Sequence, residues 1–108
     1  MSYGFKKQSG TASVAGEIIY SAPSSTTLTL VGCRVSNKDS NSPHTFSITI
    51  DGILVSGKDT PLPVGSAIDI MVGSKLFVEP TSVIRAYADE DDKVDVYISY
   101  LEQSTTTP

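Results

Sequence analysis

Between residues 45 and 55, branched and aromatic residues alternate with hydroxylic ones: Phe46, Ile48 and Ile50 against Ser47 and Thr49, then Asp51-Gly52, then Ile53, Leu54 and Val55. Period-two alternation marks a strand with one buried face. An Asp-Gly pair at the break favours a two-residue hairpin turn, because both central positions take positive φ, which Gly adopts freely and Asp tolerates. In that register Ile50 faces Ile53 and Ile48 faces Val55. All four side chains are then expected on one face, with Ser47, Thr49 and Leu54 on the other. At roughly 1.5–3 kcal/mol per fully buried aliphatic side chain, the apolar face demands a covering layer. The matching pattern lies near the end of the chain, where Val94, Val96, Ile98 and Tyr100 alternate with Asp95, Tyr97 and Ser99. This closing strand is the expected cover. On that reading Ile48→Asp unfolds the domain and Thr49→Asp is tolerated.

The rest of the chain reads as short strands between turn signals. Residues 17–21 form a strand stopped at Ala22-Pro23-Ser24-Ser25, since proline presets φ and cannot donate to a ladder. Residues 26–36 form the longest strand, and their apolar parity changes near Leu30-Val31, which predicts a bulge there. Residues 37–43 are polar throughout and make a loop. A second loop over residues 56–61, ending in Pro61, leads into Leu62-Pro63-Val64-Gly65, and this proline content confines the segment to a sheet edge. Ile68, Ile70 and Val72 alternate with Asp69 and Met71 up to Gly73-Ser74, and Leu76 to Val78 is a short partner. Residues 82–88 form another strand before the acidic turn Asp89-Glu90-Asp91-Asp92. The total is about seven or eight short strands, the pattern of an all-β, single antiparallel β-sandwich of jelly-roll or immunoglobulin-like order. Ser and Thr make up a quarter of the 108 residues, which suits strands with hydroxylic outer faces.

The expected domain organisation is a flexible N-terminal arm over residues 1–16, a sandwich over residues 17–103 and a polar tail over residues 104–108. The arm shows neither helical nor strand periodicity. It carries Tyr3 and Phe5 beside Lys6 and Lys7, the only charged side chains before Glu17. Those four residues are the candidate partner-binding group, with aromatics supplying area and lysines steering toward an acidic body.

A net charge of −4 argues against binding nucleic acid, which calls for a basic patch. No apolar run approaches the length that spans a bilayer, so no membrane partner is expected. The order of apolar and basic residues over Met1 to Lys7 is wrong for a secretory signal. Cys33 is the single cysteine; its apolar surroundings predict a buried thiol, which fits assembly in a reducing cytoplasm.

No residue is nominated as catalytic, metal-ligating or cofactor-binding. His44, the one histidine, follows Pro43 in a loop without a motif partner and is expected to be solvated. The carboxylates Asp89 to Asp92 and Asp95 fit no calcium loop, because Lys93 and Val94 stand where glycine and further ligands are wanted. They read as a solvated hairpin tip. The eight glycines never form a phosphate-cradling motif. Tyr87, Tyr97 and Tyr100 could give an aromatic platform, so a carbohydrate- or receptor-binding module is the alternative function.

From Tyr20 onward the order of pieces resembles small β-sandwich virion proteins of tailed bacteriophages. The pieces are Tyr20-Ser21-Ala22-Pro23, the Thr-rich residues 26–31, Val35-Ser36-Asn37, Thr45-Phe46-Ser47-Ile48, Pro61-Leu62-Pro63 and Ile84-Arg85-Ala86-Tyr87-Ala88. The acidic tip and the basic aromatic arm depart from the pattern. The resemblance implies a non-enzymatic virion component, decorating the capsid or attached to the neck or tail. It would be assembled in the host cytoplasm as a homo-oligomer with other virion proteins as partners.

Overall fold

A computed structural model describes residues 3–71 and 75–104, and the side chains from Lys6 to Gln103 within that range. The described residues form ten strands: β1 (Tyr3–Thr11), β2 (Glu17–Ser21), β3 (Thr26–Asn37), β4 (His44–Ile50), β5 (Ile53–Leu54), β6 (Thr60–Leu62), β7 (Ala67–Asp69), β8 (Leu76–Val78), β9 (Val83–Ala88) and β10 (Val94–Ser104). One sheet runs β1-β10-β3, with β7 and β8 sharing the far side of β3. The other runs β2-β9-β4, with β5 and β6 sharing the far side of β4. Every strand pairing is antiparallel. If β5 with β6 and β7 with β8 are taken as interrupted edge strands, the order is that of a jelly roll, a double sheet built from two Greek keys.

The core lies between the sheets. From the first sheet come Leu28, Leu30, Cys33 and Val35 of β3 and Val94, Val96, Ile98 and Tyr100 of β10, all buried. From the second come Phe46 and Ile48 of β4 with Ile84 and Ala86 of β9. The closing strand therefore covers β4 as the two alternating patterns predict. The parity change in β3 is a bulge at Val31, since Ser99 pairs with Gly32 and Tyr100 with Leu30. One extra residue lets Leu30 and Cys33 both face inward.

The hairpin turn has the expected backbone, with φ of 52° at Asp51 and 81° at Gly52. Ile50 pairs with Ile53, and the Val55 N–H donates to the Ile48 carbonyl over 2.9 Å. The burial differs from expectation. Ile53, in the two-residue edge strand β5, is 70% exposed beside a hollow that it shares with Phe77 of β8. Thr49, expected on an open outer face, is only 7% exposed. The loop after Val55 folds over that face: the Ile48 N–H donates to Ser56 Oγ and the Asp59 N–H to Ser47 Oγ. A carboxylate at position 49 would therefore be desolvated, which corrects the expected tolerance of Thr49→Asp.

The N-terminal segment also departs from its reading as a flexible arm. Tyr3–Thr11 is a nine-residue strand paired without interruption to β10, from Tyr3 opposite Gln103 to Thr11 opposite Asp95. Ala12 then crosses from one sheet to the other, donating to Val94 O, while Ser13 exchanges bonds with Ala86 and Ala88 of β9. At the other end β10 continues through Ser104, one residue into the expected tail. The edge strand expected over residues 62–65 lies earlier: β6 spans Thr60–Leu62 beside β4, with Leu62 fully buried, and residues 64–65 form a turn. The alternation expected through Val72 is strand only over Ala67–Asp69; Val72, Gly73 and Ser74 lie outside the described residues.

Chemical denaturation checks this core directly. Ile48→Ala, which opens a cavity between the sheets, is expected to cost about 2–5 kcal/mol. Ile53→Ser, of the same hairpin, should stay within about 0.5 kcal/mol of wild type.

Candidate interaction surfaces

The four residues nominated as a partner-binding arm fall on β1. Their lysines are engaged within the chain, while the side chains of Tyr3 and Phe5 lie outside the described residues. Lys6 is opposite Tyr100 on the inner side of the ladder, and its Nζ is 3.0 Å from Glu102 Oε1. Glu102 Oε2 accepts from the Tyr20 hydroxyl over 3.0 Å, and the Tyr20 and Tyr100 rings sit 5.0 Å apart. This cluster links β1, β10 and β2 across the end of the sandwich. The Lys6 hydrogen bond holds the Glu102 carboxyl below its ordinary pKa. Burial, then the hydrogen bond to Glu102, pushes the Tyr20 phenol well above its own. Lys7 faces the other way, with Nζ 6.0 Å from the centre of the exposed Tyr97 ring.

The outer edge of β1 is different. Its backbone is paired to β10 on one side, and among the described residues no strand pairs with the other. A strand of this length with one unpaired edge is a ready template for another chain.

His44 opens β4 with its ring on the inner side, and its side chain is 2% exposed. This corrects the expectation of a solvated loop histidine. Its Nε2 lies 2.8 Å from Asp39 Oδ2 and its Nδ1 3.0 Å from Asp89 Oδ1. Two carboxylates can be served at once only by an imidazolium, which has two N–H donors. The hydrogen bond to Asp39, followed by the one to Asp89, raises the His44 pKa above its ordinary 6.5 against the opposing effect of burial. Asp39 is held below its ordinary 3.8, chiefly by His44 and then by the Asn41 N–H. With both ring nitrogens so occupied, His44 has none left to activate a nucleophile. Asn37, expected in the loop over residues 37–43, ends β3 and organises the same region. Its side-chain Nδ2 donates to the carbonyls of Ser42 and Leu62, while its Oδ1 accepts from the Asp39 N–H.

The acidic tip is partly committed to the fold. Asp89 Oδ1 also accepts from the Thr45 N–H, and Asp91 Oδ1 accepts from the Val14 N–H at 2.9 Å. Among the described residues no group of three or more potential ligands is arranged to hold a metal ion.

The outer faces of both sheets carry concavities. A shallow groove of about 420 Å³ crosses β1, β10 and β3, with Ser9, Arg34, Asp95 and Tyr97 on its walls. A cleft of about 390 Å³ lies on β4 and β9 between Thr49, Tyr87 and the loop carrying Lys58 and Asp59.

No protein-family model matches the chain, and no curated protein does. Among solved structures the chain is similar to a protein from Bacillus endospore appendages, described as a novel family of disulfide-linked pili. The two superpose with a TM-score of 0.52 at 11% identity, over 97% of this chain and 88% of that one. What they share is the fold.

The His44 cluster should give stability a defined pH dependence. The contribution of the raised histidine is complete below its ordinary pKa and is lost as pH rises through the raised value. That of the lowered Asp39 is complete above its ordinary pKa and is lost as pH falls through the lowered value. The difference in thermal midpoint between wild type and His44→Gln is therefore expected to be greatest between about pH 4 and pH 6.5 and to shrink on the alkaline side, measured by scanning calorimetry across pH.

Proposed function

We propose that the protein is a non-enzymatic structural subunit that joins further copies of itself, or other subunits, through the open edges of its sheets. The parent particle is proposed to be a tailed-phage virion, with the subunit as a capsid decoration protein in preference to a neck or tail accessory. The observation that carries the reading is β1, nine residues of extended backbone with a ladder on one side only. Main-chain hydrogen bonds to such an edge supply affinity, and side chains at alternate positions supply specificity.

The far side of the sandwich offers a complementary surface. There β5 and β8 end their sheets, and Ile53 and Phe77 are 70% and 66% exposed around a shared hollow. Contact between two different edges is heterologous and repeats into a ring or a filament. Two further facts favour a repeating assembly: the six-piece resemblance to virion sandwiches, and the shared fold with a pilus protein.

The joints would be non-covalent. Cys33 is 1% exposed in the core, and burial followed by the Asp69 charge pushes its thiol pKa up to about 12. A thiol in that state is a poor partner for exchange.

Proline substitution along β1 tests the edge, because N–H groups of an edge strand point alternately into the ladder and out of it. Single prolines at Lys6, Lys7, Gln8 and Ser9 should divide by parity. One parity is expected to lower the thermal midpoint by breaking bonds to β10. The other should abolish concentration-dependent assembly, seen by light scattering and electron microscopy, at an unchanged midpoint. Assembly that persists in all four variants would rule out the β1 edge.

A further inference from the structure

The outer face of the first sheet carries a row of side chains that the assembly reading does not use. Strand register sets Ser9 of β1, Tyr97 of β10, Arg34 of β3 and Asp69 of β7 side by side. One neighbouring row is Thr11, Asp95 and Ser36, and the other is Lys7, Ser99 and Gly32. Tyr97, 46% exposed, is the one aromatic ring in these rows. Hollows flank it on both sides: the groove of about 420 Å³ over Thr11, Asp95 and Ser36, and a second of about 250 Å³ over Gly32, Ser99 and Asp69. Tyr97 and Arg34 line both.

The charges on this face are answered within the chain. Arg34 Nη2 lies 3.2 Å from Asp69 Oδ2, and Lys38 Nζ lies 3.2 Å from Asp95 Oδ1, which also accepts from the Thr11 hydroxyl over 2.9 Å. Lys7 has its Nζ 6.0 Å from the centre of the Tyr97 ring. The paired groups still lie within reach of a ligand. The side chains of Arg34, Asp69 and Asp95 are 62%, 46% and 49% exposed, and each carboxylate keeps a second oxygen outside its ion pair. Gly32 opens the smaller hollow. The bulge places its extra residue at Val31, and the φ of Gly32 is not left-handed, so the backbone itself does not call for glycine there. An added Cβ would nevertheless meet Ser99 Oγ at 2.6 Å. Glycine inside a strand weakens the sheet, and close approach by a ligand is one reason to keep it.

We infer that this face binds a neutral glycan chain, with consecutive sugar units in the two hollows and Tyr97 between them. A pyranose presents an apolar C–H face that can lie on the tyrosine ring. Its hydroxyls can donate to the second oxygens of Asp69 and Asp95 and accept from Arg34 and the serine hydroxyls. A purely apolar ligand would strip water from those groups and give nothing back. A protein anchor seated on Tyr97 and Arg34 calls for desolvated, well-packed surroundings, whereas the neighbours of this ring are hydroxyls and exposed ion pairs. A charged ligand would have to displace a partner already in place, because Arg34, Lys38 and Lys7 are each engaged. The occupant is thus neutral, polyhydroxylated and longer than one ring.

The test is an amide-shift titration of the full chain, at low protein concentration, with neutral mono-, di- and trisaccharides of glucose, galactose and N-acetylglucosamine, alongside an oligogalacturonate as the acidic probe. Saturable shifts are expected at Ser9, Arg34, Ser36, Tyr97 and Ser99, with each disaccharide bound more tightly than its monosaccharide. Tyr97→Ala should weaken binding by about tenfold, and Arg34→Met by about threefold or more. Both side chains are exposed, so neither change should move the thermal midpoint. Gly32→Ala, which fills the smaller hollow, should bring the disaccharide down to the affinity of its monosaccharide. Phe77→Ser, on β8 at the sheet edge, should leave binding as it was. Four outcomes would overturn the inference: no saturable shift from any neutral sugar, shifts centred on the face of β4 and β9, binding confined to the oligogalacturonate and lost on adding salt, or shifts around Tyr97 that follow protein concentration without sugar and so mark a second copy as the occupant.

Discussion

The burial of four alternating strand faces against one another is the constraint on which the rest of the molecule depends. β3 and β10 face β4 and β9 across the sandwich, and their inward side chains leave almost no surface in water. Because sheet side chains alternate, filling the core uses one face of each central strand and leaves the other face and every edge free for other work. The His44 cluster and the Lys6–Glu102–Tyr20 cluster are secondary fastenings. They tie loop 38–43 and β1 to strands that the core has already positioned.

What could be read from the sequence follows from that constraint. Strands with one buried face carry a period, so β4, β9 and β10 were visible, as was the bulge that rescues the parity of β3 at Val31. β1 carried no such signal. It lies at an edge with Lys6, Lys7, Gln8 and Ser9 exposed, and its partner β10 follows some ninety residues later, so nothing local announces the pairing. The burial of His44 is hidden from the sequence for a related reason: one of its carboxylates, Asp89, stands 45 residues away. The exposure of Ile53 shows the limit of local pattern in the opposite direction. Asp51-Gly52 specifies the turn and the pairing, whereas a place on the inner-facing parity of a two-residue edge strand does not ensure burial.

The cleft illustrates the same division. Ser47, Thr49 and Leu54 were assigned correctly to a common face, but only the folded loop at Ser56 and Asp59 turns that face into a concavity. Tyr97 was one of three tyrosines with equal claim in the sequence. It stands exposed beside Lys7, which separates it from Tyr87, packed on Gly16, and from Tyr100, which is buried.

The central functional claim is that β1 joins this subunit to its neighbours through backbone pairing. Amide hydrogen exchange, compared between dilute monomer and assembled material, addresses that claim at the bonds themselves. Pairing at β1 predicts that alternate amides within residues 4–10, those pointing away from β10, exchange freely in the monomer and become protected on assembly. Assembled material in which these amides keep their monomer rates, with new protection confined to other surfaces, would contradict it.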